Sequence, residues 1–69
     1  MTPMTIILNG DPYETAAPLT VGGLLERLDI DRRRVAVEHN LEVLKRVRFD
    51  DTPIQDGDRI EIVNFVGGG

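Results

Sequence analysis

The sequence predicts an α+β domain in which one main helix packs on one face of a mixed sheet of about five strands. Three features predict it: a hairpin signal near the amino terminus, one short helical pattern after residue 20, and alternating apolar residues in the later segments. The predicted order, β-β-α-β-β-β, suits a single sheet covered on one side. A chain of 69 residues is long enough for one domain, which we expect at residues 1–66, followed by a flexible glycine tail at 67–69.

A β-hairpin is predicted over roughly residues 4–17. The apolar residues of its first strand alternate and so share one side: Met4, Ile6 and Leu8. Asn9-Gly10-Asp11 is a strong hairpin signal because asparagine and glycine accept positive φ values. Pro12 places the returning strand at an edge of the sheet, since proline cannot donate to a neighbouring strand.

One helix is predicted after Thr20, a favourable N-cap residue. Its apolar side is formed by leucines at helical spacing: Leu24, Leu25 and Leu28. Gly22 and Gly23 each cost about 1 kcal/mol relative to alanine in a helix. We therefore expect this helix to depend on tertiary packing.

The second half of the chain predicts three more strands. Residues 29–34 form a charged connector whose three arginines face solvent or, alternatively, form a docking patch. Residues 50–56 are predicted as a long turn. The predicted strands are Val35–His39, Glu42–Arg46 and Arg59–Phe65.

Composition excludes several classes of function. The net charge is −4 and only three residues are aromatic, which argues against nucleic-acid binding, because that depends on cationic side chains and base stacking. No apolar run is long enough for a signal segment or a membrane helix. Cysteine is absent, which fits a reducing compartment. We expect a cytoplasmic protein that binds neither nucleic acid nor membrane.

No internal active site can be assembled from these residues. The chain has no cysteine and no serine, and His39, its sole histidine, is expected to be an ordinary strand-end residue. The aspartates at 50–58 lack calcium-loop spacing because Ile54 occupies a ligand position. We therefore expect no catalytic residues, no metal ligands and no bound cofactor, so the protein itself is not an enzyme.

The last strand predicts an exposed apolar patch. Ile60 and Ile62 share a parity and should face the helix, which places Val63 and Phe65 on the opposite face. Ile7 falls on that same face by the same rule. Such a patch is typical of a protein-binding surface. The alternative is a bulge after Ile62 that shifts the register and buries Phe65.

The terminal glycines have three interpretations. They are a frayed end, a remnant of cloning, or a slim arm that threads a narrow channel and delivers a carboxylate to another protein's active site. Four extended residues reach about 13–14 Å. Composition alone leaves all three open.

The chain also resembles a known family, the sulfur carrier proteins of thiamine biosynthesis, which are ubiquitin-like β-grasp proteins. The resemblance runs from about Met4 onward, with one difference at Leu41, where glycine is usual, and another at Gly23, where an acidic residue is common. The related molybdopterin-synthase sulfur carriers are the second choice. The segments that carry the resemblance are the Asn9-Gly10 hairpin, Thr20-Val21 before Leu24-Leu25, residues 35–40 (VAVEHN), residues 55–63 (QDGDRIEIV) and the ending at 65–69 (FVGGG).

This resemblance implies a mechanism centred on Gly69. A ubiquitin-activating-like adenylyltransferase, which uses ATP and Mg²⁺, would adenylate its carboxylate. Sulfur from a cysteine desulfurase would then form a thiocarboxylate that donates sulfur to thiazole synthase. A ubiquitin-like modifier, whose terminus joins a lysine, and an interaction domain with an inert tail are the alternatives.

The resemblance also implies roles for other residues. Gly67 and Gly68 would form the arm, and Val66 would anchor it at the channel mouth. Docking would use Ile7, Val63 and Phe65. Electrostatic steering would use Arg27, Arg32, Arg33 and Arg34.

Overall fold

A computed structural model describes residues 1–65 of the chain. It contains five strands, one α-helix and two 3₁₀ helices in the predicted order β-β-α-β-β-β. The 3₁₀ helices span Arg32–Arg34 and Arg46–Asp51. The remaining elements are β1 (Thr2–Leu8), β2 (Asp11–Ala17), α1 (Val21–Arg27), β3 (Val35–His39), β4 (Glu42–Leu44) and β5 (Arg59–Asn64).

The five strands form one mixed sheet in the order β2-β1-β5-β3-β4. The two central strands, β1 and β5, are parallel, and the other neighbours are antiparallel. The helix covers one face, and the two layers enclose the core. This is a ubiquitin-like β-grasp, so the predicted fold class is confirmed. No helix within residues 1–65 is long and apolar enough to cross a membrane.

The first hairpin forms as predicted and is tied to the last strand. Asn9 and Gly10 have φ values of 49° and 87°, the positive values that a two-residue hairpin turn requires. The side-chain oxygen of Asn9 accepts a hydrogen bond from the backbone N–H of Ile62 at 2.7 Å. Strand β2 lies at the sheet edge, as Pro12 indicates. The turn therefore fixes where β5 lies beside β1.

Helix α1 is capped as predicted, because Thr20 Oγ1 accepts a hydrogen bond from the N–H of Gly23 at 3.0 Å. Its buried residues face the sheet. Gly22 has a packing reason: a Cβ there would overlap the Asp50 carboxylate and come within 2.9 Å of Arg32 Nη2. The helix tolerates this glycine because the missing side chain leaves room for the Arg32–Asp50 ion pair.

The segment after β4 differs from the prediction. A strand was expected to run to Arg46 and a turn to fill residues 50–56, but β4 ends at Leu44 and a 3₁₀ helix follows. That helix buries Phe49, which is 1% exposed, and the chain after it buries Ile54. These two residues complete the core under α1. The burial of Phe49 therefore determines the conformation of this segment, although charged residues flank it.

Strand β5 keeps a single register along its length. Its residues from Ile60 to Asn64 pair one-for-one with β3, so no bulge follows Ile62. Ile60 is fully buried and Ile62 packs against the core. Beyond the strand, the N–H of Phe65 donates to the carbonyl oxygen of Arg34 at 2.9 Å. The interpretation in which Phe65 is buried is therefore wrong.

Candidate functional site

The sheet face opposite α1 carries an exposed apolar patch at the end of β5. Val63 is 59% exposed and Phe65 is 53% exposed. Ala36 pairs with Val63 across β3, and Val43 lies on the next strand opposite Glu38. We call Ala36, Val63 and Phe65 the end patch. Val43 lies on the same face of the sheet, but two strands away from Val63 and two residues further along.

Sequence reasoning did not predict that Ala36 and Val43 lie on this face. Val43 is 76% exposed although it lies between the half-buried Leu44 and the turn at Leu41. Its orientation follows from the pairing of Val37 with Leu44, which turns Leu44 toward the core and Val43 away from it. The alternation of side-chain direction within β4 could have indicated this orientation, but a strand of three residues is too short to show a clear alternating pattern.

Ile7 lies on the same face but away from the end patch. It pairs with Arg59 on β5 and with Pro12 on β2, and it is half-buried. Val63 is four residues further along β5, a separation of about 13 Å at the rise of a strand. The structure thus brings Val63 and Phe65 together and leaves Ile7 apart from them.

A hydrogen-bond network joins the two turns at the opposite end of β5. Asp58 Oδ2 lies 2.8 Å from His39 Nε2 and accepts from the Gln55 N–H at 2.9 Å, while Asp58 Oδ1 accepts from Asn40 Nδ2 at 3.2 Å. Burial raises the pKa of Asp58, but these hydrogen bonds outweigh it and leave the pKa below its ordinary value. His39 is a strand-end residue, as expected, and its role here is to hold a turn.

The turn after β3 contains two consecutive residues with positive φ values, and neither is glycine. Asn40 adopts a positive φ of 53°, and Leu41 follows at 72°. Leucine is rarely found in that region of backbone space. The side-chain oxygen of Asn40 accepts from the Arg59 N–H at 2.8 Å, which anchors the turn to β5.

A shallow depression lies beside this turn. It has a volume of about 330 Å³ and is lined by Asn40, Leu41, Gly57 and Arg59. Its lining holds neither a nucleophile nor a pair of carboxylates. Across residues 1–65, no group of three or more histidine, cysteine, aspartate or glutamate side chains is arranged to hold a metal ion.

The arginines named from the sequence fall into two groups. Arg27 Nη1 donates to Thr15 Oγ1 at 2.8 Å, beside the edge strand β2. Arg32 pairs with Asp50 at 2.8 Å, and the hydrogen bond from Arg32 lowers the pKa of Asp50. The others, Arg33 and Arg34, lie near the end of β5.

The predicted arm lies outside the described residues. This applies to Val66, Gly67, Gly68 and Gly69, and also to the expected domain boundary after residue 66. Strand β5 and Phe65 therefore define the place from which the chain continues, and the end patch lies beside it.

Comparison with known proteins identifies the family. The sequence profile of the ThiS family matches residues 6–69. The sulfur carrier protein ThiS of Escherichia coli K12 is 33% identical over 66 residues, which cover 96% of this chain and 100% of that protein. A crystal structure of the thiamine biosynthesis protein (ThiS) from Geobacter metallireducens superposes with a TM-score of 0.83 at 42% identity, covering 96% of this chain and 100% of that one.

A longer relative matches as well. A thiazole synthase from Paramagnetospirillum magneticum is 42% identical over 66 residues, or 96% of this chain. The chain spans 20% of the length of that relative. The profile match, the full-length similarity to a ThiS carrier and the shared β-grasp lead to one conclusion: the chain belongs to the ThiS family.

Proposed function

We propose that this protein is a sulfur carrier in thiamine biosynthesis and that the carboxylate of Gly69 bears the sulfur. The observation that supports this most is the course of β5. The strand leads from the buried Ile60 to the exposed Phe65 and into a glycine segment that the ThiS profile covers to residue 69. The described residues provide a rigid base and a docking surface, while the chemistry is left to the arm.

The first step activates the carboxylate. An oxygen of the Gly69 carboxylate attacks the α-phosphorus of ATP, the bond to the β-phosphate oxygen breaks, and pyrophosphate leaves. A carboxylate is a poor electrophile, whereas the mixed anhydride with AMP has a good leaving group. A ubiquitin-activating-like adenylyltransferase supplies the ATP and Mg²⁺ sites for this step.

The second step replaces AMP with sulfur. Hydrosulfide attacks the carbonyl carbon, the bond to the AMP oxygen breaks, and the products are the thiocarboxylate, AMP and a proton. When the sulfur comes as the persulfide of a cysteine desulfurase, the first product is an acyl disulfide. A thiol then reduces it to the thiocarboxylate. No redox change occurs at the carbonyl carbon.

The acceptor is thiazole synthase, which takes the sulfur from the thiocarboxylate. Support comes from the relative of that name, in which a segment about one fifth of its length is 42% identical to this chain. The carrier is thus a co-substrate that works in the cytoplasm with its partner enzymes. It binds no cofactor of its own.

Docking uses the exposed side of the sheet. Val63 and Phe65 contact each partner enzyme, Ile7 forms a separate contact further along the face, and Val66 lies at the mouth of the channel. Gly67 and Gly68 pass through it, since glycine alone has no side chain to obstruct a narrow passage. We expect contacts through these few apolar side chains to be weak enough that the carrier dissociates after each transfer.

Complementation tests the proposal. In a strain that lacks its own carrier, the wild-type chain should restore growth without thiamine, and a chain lacking Gly68 and Gly69 should not. Added thiazole should rescue the strain that carries the truncated chain. The truncated protein should unfold at the same urea concentration as the wild type, because the buried core residues lie between Met4 and Ile60.

Three results would contradict the proposal in different ways. Growth supported by the truncated chain would make the tail inert. Failure of thiazole to rescue, with loss of a molybdenum enzyme instead, would assign the carrier to the molybdenum cofactor. Covalent adducts of the chain on other proteins would assign it to the ubiquitin-like modifiers.

A further inference from the structure

Three arginines lie near the point where the chain leaves β5. The N–H of Phe65 donates to the carbonyl oxygen of Arg34 at 2.9 Å, so Arg34 lies directly beside that exit. Arg46 approaches from the second 3₁₀ helix, and its Nη2 donates to the carbonyl oxygen of Arg33 at 3.4 Å. We call Arg33, Arg34 and Arg46 the tail-base arginines.

One aspartate offsets part of their charge. Asp31 Oδ2 lies 3.1 Å from Arg33 Nη2 and 3.7 Å from Arg34 Nε. Within residues 1–65, no carboxylate lies at ion-pair distance from Arg46. Three guanidinium groups against one carboxylate leave a local excess of two positive charges, although the whole chain has a net charge of −4. These four side chains therefore carry a net positive charge, opposite in sign to that of the chain as a whole.

The tail-base arginines are available to a partner. The side chains of Arg33 and Arg34 are 77% and 79% exposed. By contrast, Arg32 is 30% exposed and makes two hydrogen bonds to Asp50, and Arg27 is engaged at the other edge of the sheet. Arg33 also makes two side-chain hydrogen bonds to Asp31, yet it remains far more exposed than Arg32. The exposed positive charge at the exit of β5 is therefore only partly neutralised by the carboxylates of residues 1–65.

We propose that the tail-base arginines bind an acidic rim around the opening through which the adenylyltransferase admits residues 66–69. The inference rests on the proposed function, because a partner that takes Gly69 must bring its surface up to Phe65. Opposite charges around such an opening accelerate encounter and orient the arm before it enters.

A protein rim fits this position better than the phosphates of ATP. Four extended residues span about 13–14 Å, which exceeds the reach of an arginine side chain from its Cα. When the arm is extended into the channel, the reacting phosphate therefore lies beyond Arg33, Arg34 and Arg46. The surface that surrounds the opening lies within their reach.

Arginine also suits the neighbourhood of an activated carboxyl group. A guanidinium stays protonated in proteins and offers no nucleophilic lone pair, whereas a lysine amine can attack an acyl-adenylate. Seven of the eight basic residues are arginine, and Lys45 is the sole lysine. The positive charge that these three arginines supply is therefore not itself an acceptor for the activated carboxyl group.

The test measures the association rate with the purified adenylyltransferase, without ATP, at low salt and at about 1 M salt. Reversing two charges, with Arg34→Glu and Arg46→Glu together, should slow association about tenfold or more at low salt. The difference should vanish at high salt. Asp31→Asn should accelerate association, and it keeps an oxygen to accept the Arg33 N–H that Asp31 Oδ1 accepts at 2.9 Å.

A variant with the same charge change at a remote position is the control. Arg27→Glu and Arg34→Glu each alter the net charge equally, but Arg27 lies beside β2. Arg34→Glu alone should slow association clearly, and Arg27→Glu should change it little. Urea unfolding of each variant confirms that the fold is intact.

Equal effects of Arg27→Glu and Arg34→Glu, or an unchanged rate for the double reversal, would overturn the inference. An unchanged association rate combined with a raised KM for ATP would assign the arginines to the nucleotide instead. Because association is measured without ATP, it is separate from sulfur transfer. If the association rate depends on charge and salt as predicted but the wild-type chain gains no sulfur, the proposed function is contradicted. The inference of an acidic rim would still hold.

Discussion

The two phenylalanines of the chain occupy opposite surroundings. Phe49 is 1% exposed and completes the core from a 3₁₀ helix, whereas Phe65 is 53% exposed just beyond β5. Phe49 contributes its apolar surface to the core, whereas about half of Phe65 remains exposed to solvent. In a domain of 69 residues without disulfides, such exposed apolar surface does little for stability, and the proposed function assigns it to partner docking.

The largest effect is expected when the two phenylalanines are replaced in turn and the free energies of unfolding are compared. Phe49→Ala should lower the free energy of unfolding by about 3–5 kcal/mol, because it leaves a cavity in a packed core. Phe65→Ala should change it by no more than about 0.5 kcal/mol, as at most exposed positions. Urea denaturation measures both. Similar losses for the two variants would mean that Phe65 is part of the core after all.

A second test concerns the polar part of the buried region. Asp58→Asn should lower the free energy of unfolding at neutral pH by about 1–3 kcal/mol, because an amide cannot accept every hydrogen bond that the carboxylate accepts. Asp58 is 8% exposed and holds the His39, Asn40 and Gln55 contacts together. Urea denaturation at pH 7 measures the change.

The pH dependence of stability is a further test of the role of Asp58. The pKa of Asp58 is lower in the folded chain than its ordinary value, which for aspartate is about 3.9. The ionised carboxylate therefore stabilises the fold above that value, and this stabilisation is lost as the pH falls through the folded pKa. The wild type should lose stability below about pH 4 more steeply than Asp58→Asn. If the free energies of unfolding of the two proteins fall equally steeply with pH, Asp58 does not contribute to the loss of stability in acid.

The third test applies to the exposed region. Phe65→Ala should raise the KM of the adenylyltransferase for the carrier about tenfold, equivalent to about 1.4 kcal/mol. The reason is that an aromatic contact buried in the complex is lost. Leu41, which is 68% exposed in the turn after β3, away from the end patch, is the apolar control. Leu41→Ala should leave the KM unchanged. Equal effects would show that general surface hydrophobicity, and not the end patch, governs docking.

The smallest effect is expected at Gly22, on the buried side. Alanine favours a helix, but at this position its Cβ would displace the Asp50 carboxylate from Arg32. Gly22→Ala should therefore gain less stability than helix propensity implies. In a chain that already carries Asp50→Ala, the same change should be more favourable. A double-mutant cycle in urea measures this coupling, and strict additivity would exclude it.

Much of this fold was predictable because its signals are local. Asn9-Gly10 specifies its own turn, and Thr20 caps the helix through a residue three positions away. The alternation in β5 predicted the buried Ile60 and the exposed Val63 and Phe65. Each of these depends on neighbours within a few residues, which a sequence displays directly.

The remainder depends on contacts that are distant in the chain. Phe49 is flanked by charged residues and gives no helical or strand periodicity, so its burial follows from the space under α1. Arg46 was assigned to the end of a strand, and only the folded chain places it beside Arg33. The strand positions of Ile7 and Val63 share a face, but their separation of about 13 Å follows from the register of β1 against β5.

The central claim is tested most directly by the mass of the intact chain. The protein is incubated with the adenylyltransferase, ATP, Mg²⁺ and hydrosulfide, and its mass is then measured beside that of a chain with one alanine appended after Gly69. The account predicts replacement of a single oxygen by sulfur in the wild type, located at Gly69 by fragmentation, and no change in the extended chain. An unaltered wild-type mass, or sulfur gained equally by both chains, would contradict it.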